Sequence, residues 1–182
     1  MTEGIGLAFE REARSILGTV VYYMAGPQIR VELVHVQQEG ATAYSAHMHR
    51  PFGEYAREAG GYARRDKYDW LEITGISQET VESIVRTCKA CCRAGVPYNY
   101  KDMVLAGCFS STLYDPSPDP QDVFGADSVY CAQSVVLILR ACLPLDHPLS
   151  RRLASINSRS VTPAALFAVL APLCGTRRRM GI

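Results

Sequence analysis

The sequence predicts an α+β domain, a central antiparallel sheet packed against a buried helix that carries a cysteine near its start. Three observations predict it. Residues 29–36 alternate with period two, residues 78–94 repeat apolar side chains at helical spacing between Ser77 and Gly95, and residues 127–139 pass from polar residues into a nearly continuous apolar run.

Taken in order, residues 7–24 end in Leu17-Gly-Thr-Val-Val-Tyr-Tyr-Met24, whose β-branched and aromatic content favours a strand after a short helical turn. Gly26-Pro27 ends it. In residues 29–36, Val31, Leu33 and His35 share one face and Arg30, Glu32 and Val34 the other. Residues 37–40 supply a turn and residues 41–48 the returning strand of a hairpin. A two-residue loop at Glu39-Gly40 pairs Gln38 with Ala41, sets His47 opposite Glu32 and His49 opposite Arg30, and puts all four on one face. Residues 50–69, with Gly53 and Gly60-Gly61, read as a loop with a short ordered piece, and residues 70–74 as another strand.

Ser77 caps the helix over 78–94, with Glu79 in its first turn and Gly95 as terminator. Val81, Ile84, Val85, Cys88, Cys91 and Cys92 form its apolar stripe. Residues 114–121 are an exposed Asp-Pro loop. Asp127-Ser128 opens the central helix, with Cys131 in the first turn, and Thr162-Pro163 opens a last helix that Pro172 limits to about three turns.

Composition narrows the class. A chain of 182 residues, 48% apolar and 20% charged, suits one domain over residues 1–176, with a short basic tail over 177–182. The formal net charge of +1 removes a general electrostatic case for nucleic acid or acidic membranes. Glu3, Glu10, Arg11 and Arg14 interrupt the apolar core a secretory signal needs, and the apolar stretch 17–25 is too short to span a bilayer. The expectation is a soluble, cytoplasmic protein with seven reduced thiols, an odd number that fits no complete disulfide framework.

A helix N-terminus stabilises a thiolate through unpaired N–H groups and the positive end of the dipole, and Cys131 is the cysteine so placed. Its pKa is expected about one unit or more below the ordinary thiol value. Cys88, Cys91 and Cys92 sit on an apolar stripe without a second ligand pair, so they are read as packing residues; no metal or other cofactor is expected. A thiol hydrolase also needs a base. His147, between Asp146 and Pro148, reads as an exposed loop residue, and His35 as a core or a catalytic group. The cluster of His47, His49, Arg30 and Glu32 is either a base with its orienting partner or a solvated sheet face.

The chain resembles the circularly permuted papain-like NlpC/P60 family, with its YiiX-type, phage and large-DNA-virus members, over roughly residues 15–171. The likeness rests on Val31-Glu-Leu-Val34, Gly40, Ser45-Ala46, Gly60-Gly61, Trp70, Gly95-Val-Pro-Tyr-Asn-Tyr100, Val129-Tyr-Cys-Ala-Gln133 and Val161-Thr-Pro-Ala-Ala-Leu166. The resemblance implies a sheet or half-barrel against the cysteine helix, with an early histidine and a late Cys131 forming a site that cleaves amide or ester bonds in peptides, peptidoglycan-like polymers or lipids. It implies a host-cell cytoplasmic setting if the source is viral. The family histidine usually directly precedes the Val-Glu-Leu-Val strand, where this chain has Arg30, which stays protonated and cannot act as a base.

Two functions follow. In one, Cys131 attacks a carbonyl, His49 or His47 takes the thiol proton, and Glu32 orients the imidazole. In the other the fold is catalytically dead and binds a ligand, with Arg30 receiving an anion; Gln133 is the second binding candidate.

Overall fold

Alternation along the strands decides the layers. The computed structural model describes residues 3–11, 26–47, 50–57, 62, 67–109 and 127–176, and the strand expected at residues 17–24 falls outside them. Six antiparallel strands form one sheet: β1 (Gly4–Glu10), β2 (Arg30–Val36), β3 (Ala41–His47), β4 (Arg50–Arg57), β5 (Tyr68–Ile73) and β6 (Gly175–Thr176), in the order β4-β3-β2-β1-β5-β6. The described helices are α1 (Gln78–Ala94), α2 (Tyr100–Phe109), α3 (Cys131–Cys142), α4 (Pro148–Ala154) and α5 (Pro163–Leu170). Leu7 and Phe9 of β1, Val31 and Leu33 of β2 and Tyr44 of β3 pack on the helical side with Ile84, Cys88 and the wholly buried run Val135 to Leu139. The intervening residues Ala8, Val34 and Ala43 face the other way, into a smaller core beneath Tyr55, Tyr62, Tyr68 and Trp70. The α+β expectation holds, and both faces of the sheet are covered.

The first helix begins and ends as its sequence signals. Ser77 Oγ accepts from Thr80 N–H, and Gly95 adopts a left-handed φ of 62° that closes α1 through N–H bonds to Cys91 and Cys92 carbonyls. Thr162 caps α5 in the same way, bonding Ala165 N–H with Pro163 behind it.

Several elements differ from expectation, each for a physical reason. The first described strand is β1, where Gly4 and Gly6 weaken the sequence pattern; Gly6 is needed because the Trp70 ring occupies the space its Cβ would take. Residues 50–57, expected as loop, form the edge strand β4. Pro51 is tolerated there because it falls within the register shift between Ser45↔Gly53 and His47↔Arg50, where no ladder bond is demanded of it. The hairpin closes with Gln37 N–H on the Gly40 carbonyl, around Gln38 and Glu39, so Val36 pairs with Ala41 and the loop expected at Glu39-Gly40 lies one residue earlier. Helix α2 was not anticipated, although Asn99 and Asp102 cap it reciprocally: Asp102 N–H donates to Asn99 Oδ1 and Asn99 Nδ2 to Asp102 Oδ2, both at 2.9 Å. His147 is the N-cap of α4, accepting from Leu149 N–H and bonding the Thr74 carbonyl through Nε2.

Helix α3 starts later than Asp127-Ser128 suggested. Tyr130 is its N-cap, with φ −105° and ψ 172° and no side-chain capping bond. The Tyr130 hydroxyl reaches instead to the carbonyls of Ser158 and Val161, at 3.0 and 2.9 Å, which fixes the start of α3 against the segment between α4 and α5. Tyr130→Phe removes the one hydroxyl donor that these two buried carbonyls share. It is expected to cost about 1–3 kcal/mol, read as a lower denaturation midpoint with an unchanged slope.

Candidate functional site

Cys131 is the first residue of α3 and is 4% exposed. Antiparallel pairing explains what its sulfur meets. The ladder between β2 and β3 runs through four pairs, from Val36↔Ala41 to Leu33↔Tyr44, although both strands continue past it. Beyond Leu33 the main-chain groups of Val31 find other partners: the carbonyl accepts from Ser45 Oγ at 3.0 Å, and the N–H lies against the Cys131 sulfur. The irregularity between Ser45 and His47 in the β3–β4 pairing falls at the same level. The helix start is thus fitted into the place where two strands part.

The electrostatics correct the expected thiol activation. Burial pushes the Cys131 thiol up, and the Val31 N–H, the Arg30 charge and the N–H groups of Ala132 and Cys131 oppose that without overcoming it. Tyr98 shares this environment. Its phenol is pushed above its ordinary range by burial, then by Cys131 and Tyr100, while Arg30 pulls it down. Tyr98 is held there by a parallel bridge to Val129, with Asn99 N–H on the Val129 carbonyl and Val129 N–H on the Pro97 carbonyl. The motif around Tyr98 and the motif around Cys131, some thirty residues apart, therefore meet in one place.

The expected polar cluster forms, but across the sheet from the sulfur. Arg30 and Glu32 have the parity of Val34, on the face away from α3, whereas Val31 and Leu33 share the core of Cys131. Arg30 pairs with Glu10 at 2.7 Å and Glu32 at 3.1 Å, and donates to His47 Nδ1 at 3.0 Å. Because a guanidinium can only donate, Nδ1 carries the lone pair, and Nε2 faces Glu32 Oε1 at 3.8 Å. Tyr62 donates to the other Glu32 oxygen at 2.7 Å, and Lys67 stands 3.4 Å from Glu10. Glu32 is wholly buried. His47 meets Arg30 in place of Glu32, as the corrected hairpin register requires.

Arg30, Glu32 and His47 thus gather as their shared parity requires, on the face of the sheet away from the sulfur. Glu32 and His47 are not among the groups that act on the Cys131 thiol, and among the described residues no imidazole hydrogen-bonds its sulfur. His49 lies outside the described residues. Gln133 is 1% exposed and, two residues on from Cys131, turns to a different side of the helix; its Oε1 has no partner among the described residues. His35 pairs with Glu3 at 3.0 Å near the far end of β2. Cys88 and Cys91 are wholly buried in the main core, and burial pushes Cys88 far up. Tyr98 was missed as a neighbour of the site, and the signal was its place in the Gly-x-Pro-Tyr-x-Tyr segment.

No family model matches the chain, and no curated protein matches it in sequence. In fold it is similar to the crystal structure of the metalloprotein YiiX from Escherichia coli O157:H7, with a TM-score of 0.56 at 15% identity over 98% of this chain and 97% of that one. The likeness is one of fold. Among the described residues no three His, Cys, Asp or Glu side chains are grouped to hold a metal ion. Also among the described residues, no helix is long and apolar enough to cross a membrane.

Two outcomes follow from this geometry. Since Cys131 titrates above its ordinary value, its thiolate fraction at pH 7 is below that of a peptide thiol; iodoacetamide should modify it more slowly, with a rate rising about tenfold per pH unit until the thiol ionises. Arg30→Met takes the guanidinium from two buried carboxylates, leaving Lys67 to Glu10 and Tyr62 to Glu32, and is expected to cost about 3 kcal/mol in equilibrium unfolding at neutral pH.

Proposed function

We propose that the chain is a thiol hydrolase or acyltransferase in which Cys131 attacks the carbonyl carbon of an amide or ester. The observation that supports it is the placement of the sulfur, at the start of a helix whose N-cap spends its side chain elsewhere, against the N–H groups of Val31 and Ala132. Those donors favour negative charge on sulfur, and the same uncapped turn offers N–H groups to a developing oxyanion. The thiol rests protonated, so it requires a base at the moment of attack.

His49 is the base in this reading. Glu32 and His47 are committed to Arg30 on the other face, so their part is to hold the end of β3. What supports His49 is elimination, since Glu32 and His47 are held by Arg30 on the face away from Cys131 and His49 lies outside the described residues. The imidazole takes the thiol proton as the S–C bond forms, then gives it to the departing amine or alkoxide as the C–N or C–O bond breaks. A water, or an acceptor nucleophile in a transferase, cleaves the thioester and restores the thiol. Substrate candidates are peptides, peptidoglycan-like polymers and lipid esters or amides.

A second reading has its own observation. Burial holds Cys131 protonated, and among the described residues no imidazole touches it, as in a fold retained for binding. Its earlier form, an anion received by Arg30, is weakened because Glu10 and Glu32 already match that guanidinium. Turnover of activated acyl esters separates the readings. Catalysis predicts loss of turnover in Cys131→Ala and a fall of about a hundredfold or more in His49→Ala with the fold intact. Equal rates in wild type and Cys131→Ala contradict it.

A further inference from the structure

A groove on the flank of α1 has no part in the chemistry proposed for Cys131. It is a cavity of about 340 Å³ between α1 and the end of the sheet marked by Glu3 and His35. Its floor includes Val81 and Val85, and its rim carries Arg86, Lys89 and Arg93. These three recur at i, i+3 and i+7, so they share one stripe of the helix over roughly 10 Å. Among the described residues none of the three has an ion-pair or hydrogen-bond partner. The lining sets three cations against two carboxylates, so the excess of positive charge favours an anion.

Two carboxylates also line the groove, and they define its polarity. Glu82 sits at the Val81 end, and Glu3 bonds the imidazole of the more than nine-tenths buried His35 at 3.0 Å. The end at Lys89 and Arg93 lacks any such carboxylate among the lining residues. Glu3, 46% exposed, stands where the anionic end of a ligand could meet His35. The volume lies at the lower limit of ordinary small-molecule pockets, roughly 300–1,000 Å³, and is too large for one small inorganic ion.

We propose that this groove binds a small organic anion bearing two or more phosphate or carboxylate groups, with its apolar body over Val81 and Val85, and that Glu3 partly occupies the His35 end until such a ligand displaces it. The cations select charge and the valines select against fully hydrated ions. The site is independent of Cys131.

Calorimetric titration with dimethylallyl diphosphate and with phthalate, each an apolar body bearing two anionic groups, at physiological ionic strength, tests the groove and distinguishes phosphate from carboxylate recognition. At least one is expected to bind with one-to-one stoichiometry. Lys89→Ala with Arg93→Ala is expected to weaken binding about a hundredfold, roughly tenfold for each charged partner lost. Both residues are exposed, so the fold should survive, and circular dichroism checks that. Glu3→Gln should bind more tightly. Arg151→Ala with Arg152→Ala, on the exposed face of α4, should change nothing. Absence of saturable binding to both probes, or equal loss in the α4 control, overturns the groove assignment; unchanged affinity in Glu3→Gln overturns the displacement. Full acyl-ester turnover in the groove variants separates this outcome from failure of the hydrolase reading.

Discussion

The arrangement depends on what happens to the main chain of Val31. A strand interior normally spends its N–H and C=O on the neighbouring strand, and an unpaired group there is costly. Here the pairing between β2 and β3 ends at Leu33↔Tyr44, Ser45 Oγ takes the Val31 carbonyl, and the sulfur of Cys131 receives its N–H. One break in a ladder thereby serves as the docking point for the central helix. It also brings a buried thiol against backbone donors that favour its charged form.

The same strand separates two kinds of chemistry. On the helical side, Cys131 and Tyr98 lie in an apolar setting where burial dominates and both acidic groups are pushed up. On the other side, Arg30 is matched by Glu10 and Glu32, with Lys67, His47 and Tyr62 completing the network. Buried ion pairs of this kind contribute little net stability against well-packed apolar residues, but removing one partner is severe. Arg30 is therefore bound into the architecture, although its field still reaches the thiol. Arg30 is thus the centre of a structural network.

Much of the fold was legible because its signals are local. Ser77 and Gly95 bound α1, Thr162-Pro163 opens α5, and alternation in β2 assigned its faces correctly. What was not legible depends on neighbours in space. Pro51 and Gly53 look like breakers until β4 is known to be an edge with a register shift, and Gly6 looks like a weak strand residue until Trp70 is known to cover it. The cluster of Arg30, Glu32 and His47 could be foreseen from parity, because a register error of two residues leaves every side chain on its own face. Its side of the sheet relative to Cys131 could not, since no local pattern says which face the cysteine helix takes.

In the hydrolase reading, the sulfur beside the Val31 N–H is the atom that carries an acyl group. Rapid acid quenching during reaction with an activated acyl ester, followed by intact-mass and peptide mass spectrometry, tests it directly. One acyl group per chain is expected, on the peptide containing Cys131, released by hydroxylamine and absent in Cys131→Ala. An acyl group found on another residue, or no covalent adduct while the ester is being turned over, contradicts it.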